Sequence, residues 1–262
     1  MKIQKIRFAA LAAALAIAAA PASAIVVTST TDATTLASTL AGSGVTVSNA
    51  VLTTASPTAA GTFTAGGNIG FDNGVLLTTG TVACAVGPNS SSNCGGAGTT
   101  TSLKFNFTSA TGNIFFNYIF ASEEYPEYVN QEVNDEFQLL INGVNIALVP
   151  GTNELINVDN INANKNSAYY RSNANGSINT GYDGLTTVFT AEAFGISGTN
   201  TFEFIIRDVG DSAYDSAVFL QAGTFSAEPP ADIPEPGSMA LLAIGMLGLA
   251  RYRAKSRTGA AN

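Results

Sequence analysis

The strongest constraint on the fold is the segment from Asp135 to Val149, where a turn signal and a residue alternation select the same register. Asn142-Gly143 suits a two-residue hairpin turn of type I′, because both central residues there need positive φ. A turn at that point pairs Ile141 with Val144, Leu139 with Ile146 and Phe137 with Leu148, all apolar and on one face. The opposite face pairs Leu140 with Asn145, Gln138 with Ala147 and Glu136 with Val149, a mixed surface. A slip of one residue would carry the apolar set into water, so turn chemistry and burial specify one hairpin.

Further strands read the same way. Leu103, Phe105 and Phe107 alternate with Lys104 and Asn106; Phe202, Phe204 and Ile206 alternate with Thr201, Glu203 and Arg207. Asn113 to Ala121 is apolar on both faces, which suits a central strand covered on each side. Ser216 to Ala222 is another short strand. One short helix is expected from Asp32 to Leu40, capped by Asp32 and stopped at Gly42. Many short strands separated by turn residues indicate an all-β chain, a single β-sandwich of jelly-roll type over residues 25–227.

The two ends do not belong to that domain. Lys2, Lys5 and Arg7 precede a 13-residue apolar run, Phe8 to Ala20, and Pro21-Ala22-Ser23-Ala24 supplies small residues for cleavage. A membrane span needs about 20 residues, so residues 1–24 read as a secretory signal peptide cleaved after Ala24 rather than an uncleaved anchor. Residues 228–237 form a proline-rich linker containing Pro234-Glu235-Pro236. Residues 238–257 hold a second 13-residue apolar run, expected to be helical, and a basic cluster of Arg251, Arg253, Lys255 and Arg257. The cluster would hold this tail on the cytoplasmic side during a transient inner-membrane insertion.

Charge divides along the same boundaries. The part from Ile25 to Glu235 has four basic residues (Lys104, Lys165, Arg171 and Arg207) against all 19 acidic ones, a net charge of −15. Such a surface repels nucleic acid and favours cations. The chain has no His, which removes Ser-His-Asp and Cys-His catalysis and imidazole metal sites, and no Trp for stacking sugars. Cys84 and Cys94 enclose nine residues, and in an exported chain they are expected to form one disulfide rather than two free thiols. Closing a loop of that size stabilises by about 2–3 kcal/mol in the chain-entropy model.

Two acidic clusters stand where strands run into loops. One contains Glu123 and Glu124 and continues to Asp135; the other contains Asp208, Asp211 and Asp215, with Gly210 permitting a tight turn. Calcium takes six to eight oxygen ligands, and carboxylates with loop carbonyls supply them, so these six residues are the candidate metal ligands. Adjacent strand residues point to opposite faces, which weakens the case for Glu123 and Glu124 acting together. The alternatives are solvated turn caps, or a carboxylate pair of a secreted glycoside hydrolase acting on extracellular polysaccharide. The stretch 160–184 is rich in Asn and also carries Tyr169, Tyr170 and Tyr182; it reads as a long surface excursion, a weaker candidate for contact with polysaccharide.

The stretches FDNGVLLTTG, FASEEYPEYVN, NDEFQLLINGVNIALVPGT and RDVGDSAYDSAVFL resemble the choice-of-anchor L domain, over Val45 to Phe225. That resemblance implies a secreted or surface-attached bacterial β domain with no established enzymatic activity, and it supplies no catalytic residues. The order of Pro234-Glu235-Pro236, apolar run and basic tail resembles the PEP-CTERM sorting signal of Gram-negative bacteria. It implies recognition and trimming by an exosortase-type enzyme, and delivery to the envelope or to an exopolysaccharide matrix.

Overall fold

The computed structural model describes residues 25–89, 100–210 and 212–230. The predicted signal peptide, the sorting motif with its helix and basic tail, Cys94 and Asp211 lie outside the described residues. The strands in chain order are β1 (Val26–Ser29), β2 (Val45–Thr53), β3 (Ala60–Thr64), β4 (Gly74–Thr78), β5 (Thr100–Ser109), β6 (Ile114–Ser122) and β7 (Glu136–Ile141). They continue with β8 (Val144–Asn145), β9 (Ile156–Asn157), β10 (Tyr170–Ser172), β11 (Gly184–Thr186), β12 (Phe189–Ala193), β13 (Asn200–Arg207) and β14 (Ser216–Gln221). One helix, α1 (Ala33–Leu40), precedes β2. Its start is set as expected: the Asp32 carboxylate accepts the N–H groups of Thr34 at 3.0 Å and Thr35 at 3.3 Å, filling otherwise orphaned donors.

The strands make two antiparallel sheets packed as a sandwich. The first runs β1-β3-β4-β14-β6-β11-β10, with β12 also beside β6; the second runs β2-β5-β13-β7-β8, with β9 beside β7. The core between them is aromatic. Phe105 and Phe202 stack with centroids 5.6 Å apart, Phe202 meets Phe225 at 4.5 Å, and Phe116 reaches Phe204 at 5.0 Å. The alternation in β13 buries Phe202, Phe204 and Ile206 and leaves Thr201, Glu203, Ile205 and Arg207 half-buried on the other face.

The first sheet is covered on both sides, which explains the unbroken apolar run in β6, where every residue is buried. Its outer face carries a second cluster, in which Phe63, Leu76, Ile119 and Phe219 meet Ile69, Val82, Ile178, Tyr182 and Leu185. Part of the Asn-rich stretch is therefore a packed layer over the sheet rather than a surface excursion.

The hairpin forms with the expected turn, Asn142 at φ 50 and Gly143 at φ 83, and with the expected first pairs, Ile141 with Val144 and Leu140 with Asn145. Ile146 still donates to the Leu139 carbonyl at 2.8 Å. Beyond that the register differs. The Asn145 side-chain oxygen accepts from both Leu139 N–H at 3.0 Å and Ala147 N–H at 3.1 Å, substituting for ladder bonds and ending β8. Phe137 then pairs with Ile156 of β9 instead of Leu148.

The sandwich has two ends of different character. At one end the chain leaves the domain. Phe115 exchanges backbone hydrogen bonds with Ser226 in both directions, Ala227 N–H donates to Ser43 O, and the linker begins at Glu228. At the other end lie Ser122 and the loops after β6 and β13, because Ser122 pairs with both Ser216 and Gly184. The nine residues of β6 separate the ends by about 26 Å at about 3.3 Å per residue.

Candidate functional site

The acidic residues singled out above gather at the loop end, but on two sides of a strand. Glu123 and Glu124 directly follow β6, in a bend of the chain, and their carboxylates act on different neighbours. Glu124 faces Asp135 and Asp208, whose charges act on one another. Glu123 and Asp215 face the other way, toward the buried ring of Tyr182. The Asp215 backbone carbonyl accepts Glu123 N–H at 3.0 Å, so one turn of chain holds both sets.

In the first set the geometry is tight. Asp135 N–H donates to Glu124 Oε2 at 3.1 Å, and Asp135 Oδ1 accepts Val209 N–H at 2.9 Å. Glu124 N–H is held by Ser122 Oγ at 2.9 Å. Glu124 and Asp135 are fully buried, and both carboxylate oxygens of Asp208 are shielded from solvent. Burial first, and then the neighbouring charge of Glu124, push the Asp135 carboxyl up to about 9; Asp208 adds to the rise. The Ser216 hydroxyl lies alongside and opposes the shift without reaching hydrogen-bond geometry. Asp135 Oδ2 therefore has no hydrogen-bond partner among the described residues. Gly210 makes the loop possible: its φ is 109, and a side chain there would come within 2.6 Å of the Glu132 carbonyl oxygen.

The second set is a separate pocket of contacts. Asp215 is fully buried, with Thr79 Oγ1 3.5 Å from Oδ1. Burial raises its carboxyl to about 6, against the lowering effect of the Thr79 hydroxyl and the Thr81 N–H. The Cys84 sulfur approaches Oδ2 at 3.5 Å. Cys84 is disulfide-bonded, so that sulfur carries no proton to donate. The only other cysteine in the sequence, Cys94, lies outside the described residues.

The six candidate ligands thus do not meet at one point. Glu124, Asp135 and Asp208 come together, Glu123 and Asp215 lie apart from them, and Asp211 lies outside the described residues. Among the described residues no three acidic or cysteine side chains are grouped closely enough to hold a metal ion as they stand. A glycosidic bond has no access to Glu124 or Asp135, since both are fully buried.

The Asn-rich stretch is held by its own amides. Asn173 is buried, donates to the carbonyls of Thr180 and Tyr182, and accepts Ile178 N–H. Asn162 is buried and bridges four backbone groups, at Val158, Asp159, Asn164 and Lys165. These amides are structural, and a pair of aromatic rings from two other loops sits at the loop end. Tyr128 and Tyr214, half-buried and 86 positions apart, place their rings 4.7 Å from one another, with Tyr214 in the left-handed region at φ 61. That pair was hidden in the sequence, because nothing local signals a contact between two loops.

A family model described as the choice-of-anchor L domain matches residues 25–226, most of the chain and the whole of the sandwich. The chain belongs to the choice-of-anchor L domain family. A second model, the PEP-CTERM protein-sorting motif, matches residues 232–254. No curated protein and no solved structure matches the chain. This choice-of-anchor L protein is therefore one whose sorting signal directs it out of the cell and to the surface, with processing by an exosortase, and no enzyme family is found in it.

Proposed function

We propose that this protein is a non-catalytic structural component of an extracellular polysaccharide matrix, displayed at the surface of a Gram-negative cell. The observation that carries the reading is the arrangement at the exit end. The sandwich finishes at Ala227, whose N–H donates to the Ser43 carbonyl at 2.8 Å, and the sorting motif begins within a few residues. The domain is therefore presented on a short proline-rich tether, as a displayed module would be. The net charge of −15 carried from Ile25 to Glu235, domain and tether together, keeps such a module soluble and hydrated.

Calcium is the stabilising ion in this reading. Burial and the charges of Glu124 and Asp208 keep a proton on Asp135 at neutral pH, and among the described residues Asp135 Oδ2 has no hydrogen-bond partner. A calcium ion drawn in among them would displace that proton, neutralise the crowded carboxylates and supply the partner, with the three side chains closing toward it.

Fractionation of matrix from cells tests the function. The protein should co-sediment with matrix polysaccharide and be released when that polysaccharide is digested. Recovery in the soluble medium, unaffected by digestion, would contradict the proposal. The ion is tested by thermal unfolding of metal-stripped protein with calcium, magnesium or chelator. Calcium at about 100 Kd should add about 2.7 kcal/mol. Magnesium should not reproduce the gain, and Asp135→Asn should abolish it.

A further inference from the structure

The two processed ends of the chain leave the sandwich on the same side. The exit of Ala227 is beside Phe115, at the start of β6. The amino end of the domain comes out there as well: Val26 pairs with Thr64, its neighbour Phe63 pairs with Gly74, and Gly74 pairs with Gln221 at the end of β14. Ile25, the residue expected to follow signal cleavage, is itself buried against the outer face of the first sheet. Anything anchoring this domain therefore holds it by the exit end, and the loop end about 26 Å away faces outward.

What the outward end presents is specific in chemistry. The rings of Tyr128 and Tyr214 form a half-exposed aromatic pair built from two different loops. Beside it Glu127 is exposed, and its charge acts on both Tyr170 and the Asp183 carboxyl, raising each after burial has done so. No Lys or Arg answers these two carboxylates among the described residues. The ion pairs there join Lys104 to Glu203, Lys165 to Glu154 and Arg207 to Glu136, while Arg171 donates to the carbonyls of Ile69 and Asn68. The four cations among the described residues are thus spent elsewhere, which leaves exposed Glu127 next to Tyr128, and half-buried Asp183 held by the Asn89 amide at 2.6 Å, as negative charge at the loop end.

We propose that this outward end is a ligand face, and that its occupant is a polysaccharide whose sugar rings carry protonated amines. The rings of such a polymer lie on the half-exposed rings of Tyr128 and Tyr214, whose faces are apolar. The ammonium groups meet Glu127 and Asp183, giving charge complementarity that an uncharged or acidic polymer lacks. The proposal rests on the matrix reading above and names the kind of polymer within it.

Binding of the mature exported protein to a β-linked glucosamine oligomer, its N-acetylated counterpart and polylysine of similar charge separates the possibilities. The glucosamine oligomer should bind at least tenfold more tightly than the other two. Tyr128→Ala and Tyr214→Ala should each weaken it about tenfold, and Glu127→Gln should lower the salt sensitivity. Phe194→Ala removes an exposed ring at the exit end and should leave binding unchanged, with unfolding temperatures confirming that every variant is folded. Equal binding of polylysine, or glucosamine binding indifferent to both tyrosines, would show bulk charge alone and overturn the proposal. No binding of the glucosamine oligomer would overturn it too. Either result leaves the matrix reading standing if the protein still co-sediments with polysaccharide.

Discussion

Asp215→Asn should make the protein more stable at neutral pH, although it removes a buried native side chain. The carboxyl is raised from 3.8 to about 6, chiefly by burial. In the unfolded chain it ionises near its ordinary value, so between the two values the folded state keeps a proton that the unfolded state has lost. Stability from this group is complete below about pH 4 and falls as pH rises, and it is lost above about pH 6. A shift of about two units corresponds to about 3 kcal/mol. Asparagine has the same shape and no charge to bury, so it avoids that loss. It sacrifices the long 3.5 Å approach of Thr79 and the bond from Thr81 N–H, leaving a net gain of about 1–2 kcal/mol at pH 7. For a domain of this size that is a rise of about 2–8 °C. Unfolding temperatures of both proteins from pH 3.5 to 7.5 measure it. The difference should be small or reversed at pH 3.5 and grow through pH 4–6. A difference flat across that window would refute the argument that burial of this charge sets the pH dependence.

Other perturbations test the remaining parts of the account. Phe202→Ala empties the centre of the aromatic core, where Phe105, Phe107, Phe204 and Phe225 meet it, and should cost about 3–5 kcal/mol in denaturant unfolding. Gly80→Ala would set a methyl 1.9 Å from Asp215 Oδ2. It should cost about 1–3 kcal/mol, and Asp215→Ala in the same chain should recover part of that by vacating the space. Asn145→Ala removes the acceptor for two backbone N–H groups and should cost about 1–3 kcal/mol, with hydrogen exchange quickening at Leu139 and Ala147.

Much of the sandwich was legible because burial repeats in the sequence with a fixed period. The alternation in β5 and β13, the doubly apolar β6 and the Asp32 cap each follow from residues close together in the chain. The hairpin was legible only as far as its turn dictates. Past Ile146 the pairing depends on an Asn145 side chain that imitates a backbone acceptor, which no alternation pattern encodes. The outer layer over the first sheet was missed for a similar reason. Ile178 and Tyr182 are scattered among Asn, Ser and Gly without period, so their common burial exists only once the stretch has folded back. At the acidic end, strand alternation stops at Ser122, and Glu123 and Glu124 lie in the bend beyond it. Alternation could not place Asp135 between Glu124 and Asp208, nor bring Tyr214 to Tyr128, because those meetings depend on which strands are neighbours.

The central claim is that this domain is exported, trimmed and held outside the cell by its exit end. Intact-mass measurement of the protein recovered from the matrix fraction tests that claim most directly, with the wild type beside a Pro234→Ala, Pro236→Ala variant. The account expects a wild-type chain beginning at Ile25 and lacking the apolar and basic tail, and a variant that keeps the tail and stays with the inner membrane. A wild-type protein carrying its full tail, or a variant trimmed and delivered like the wild type, would contradict it.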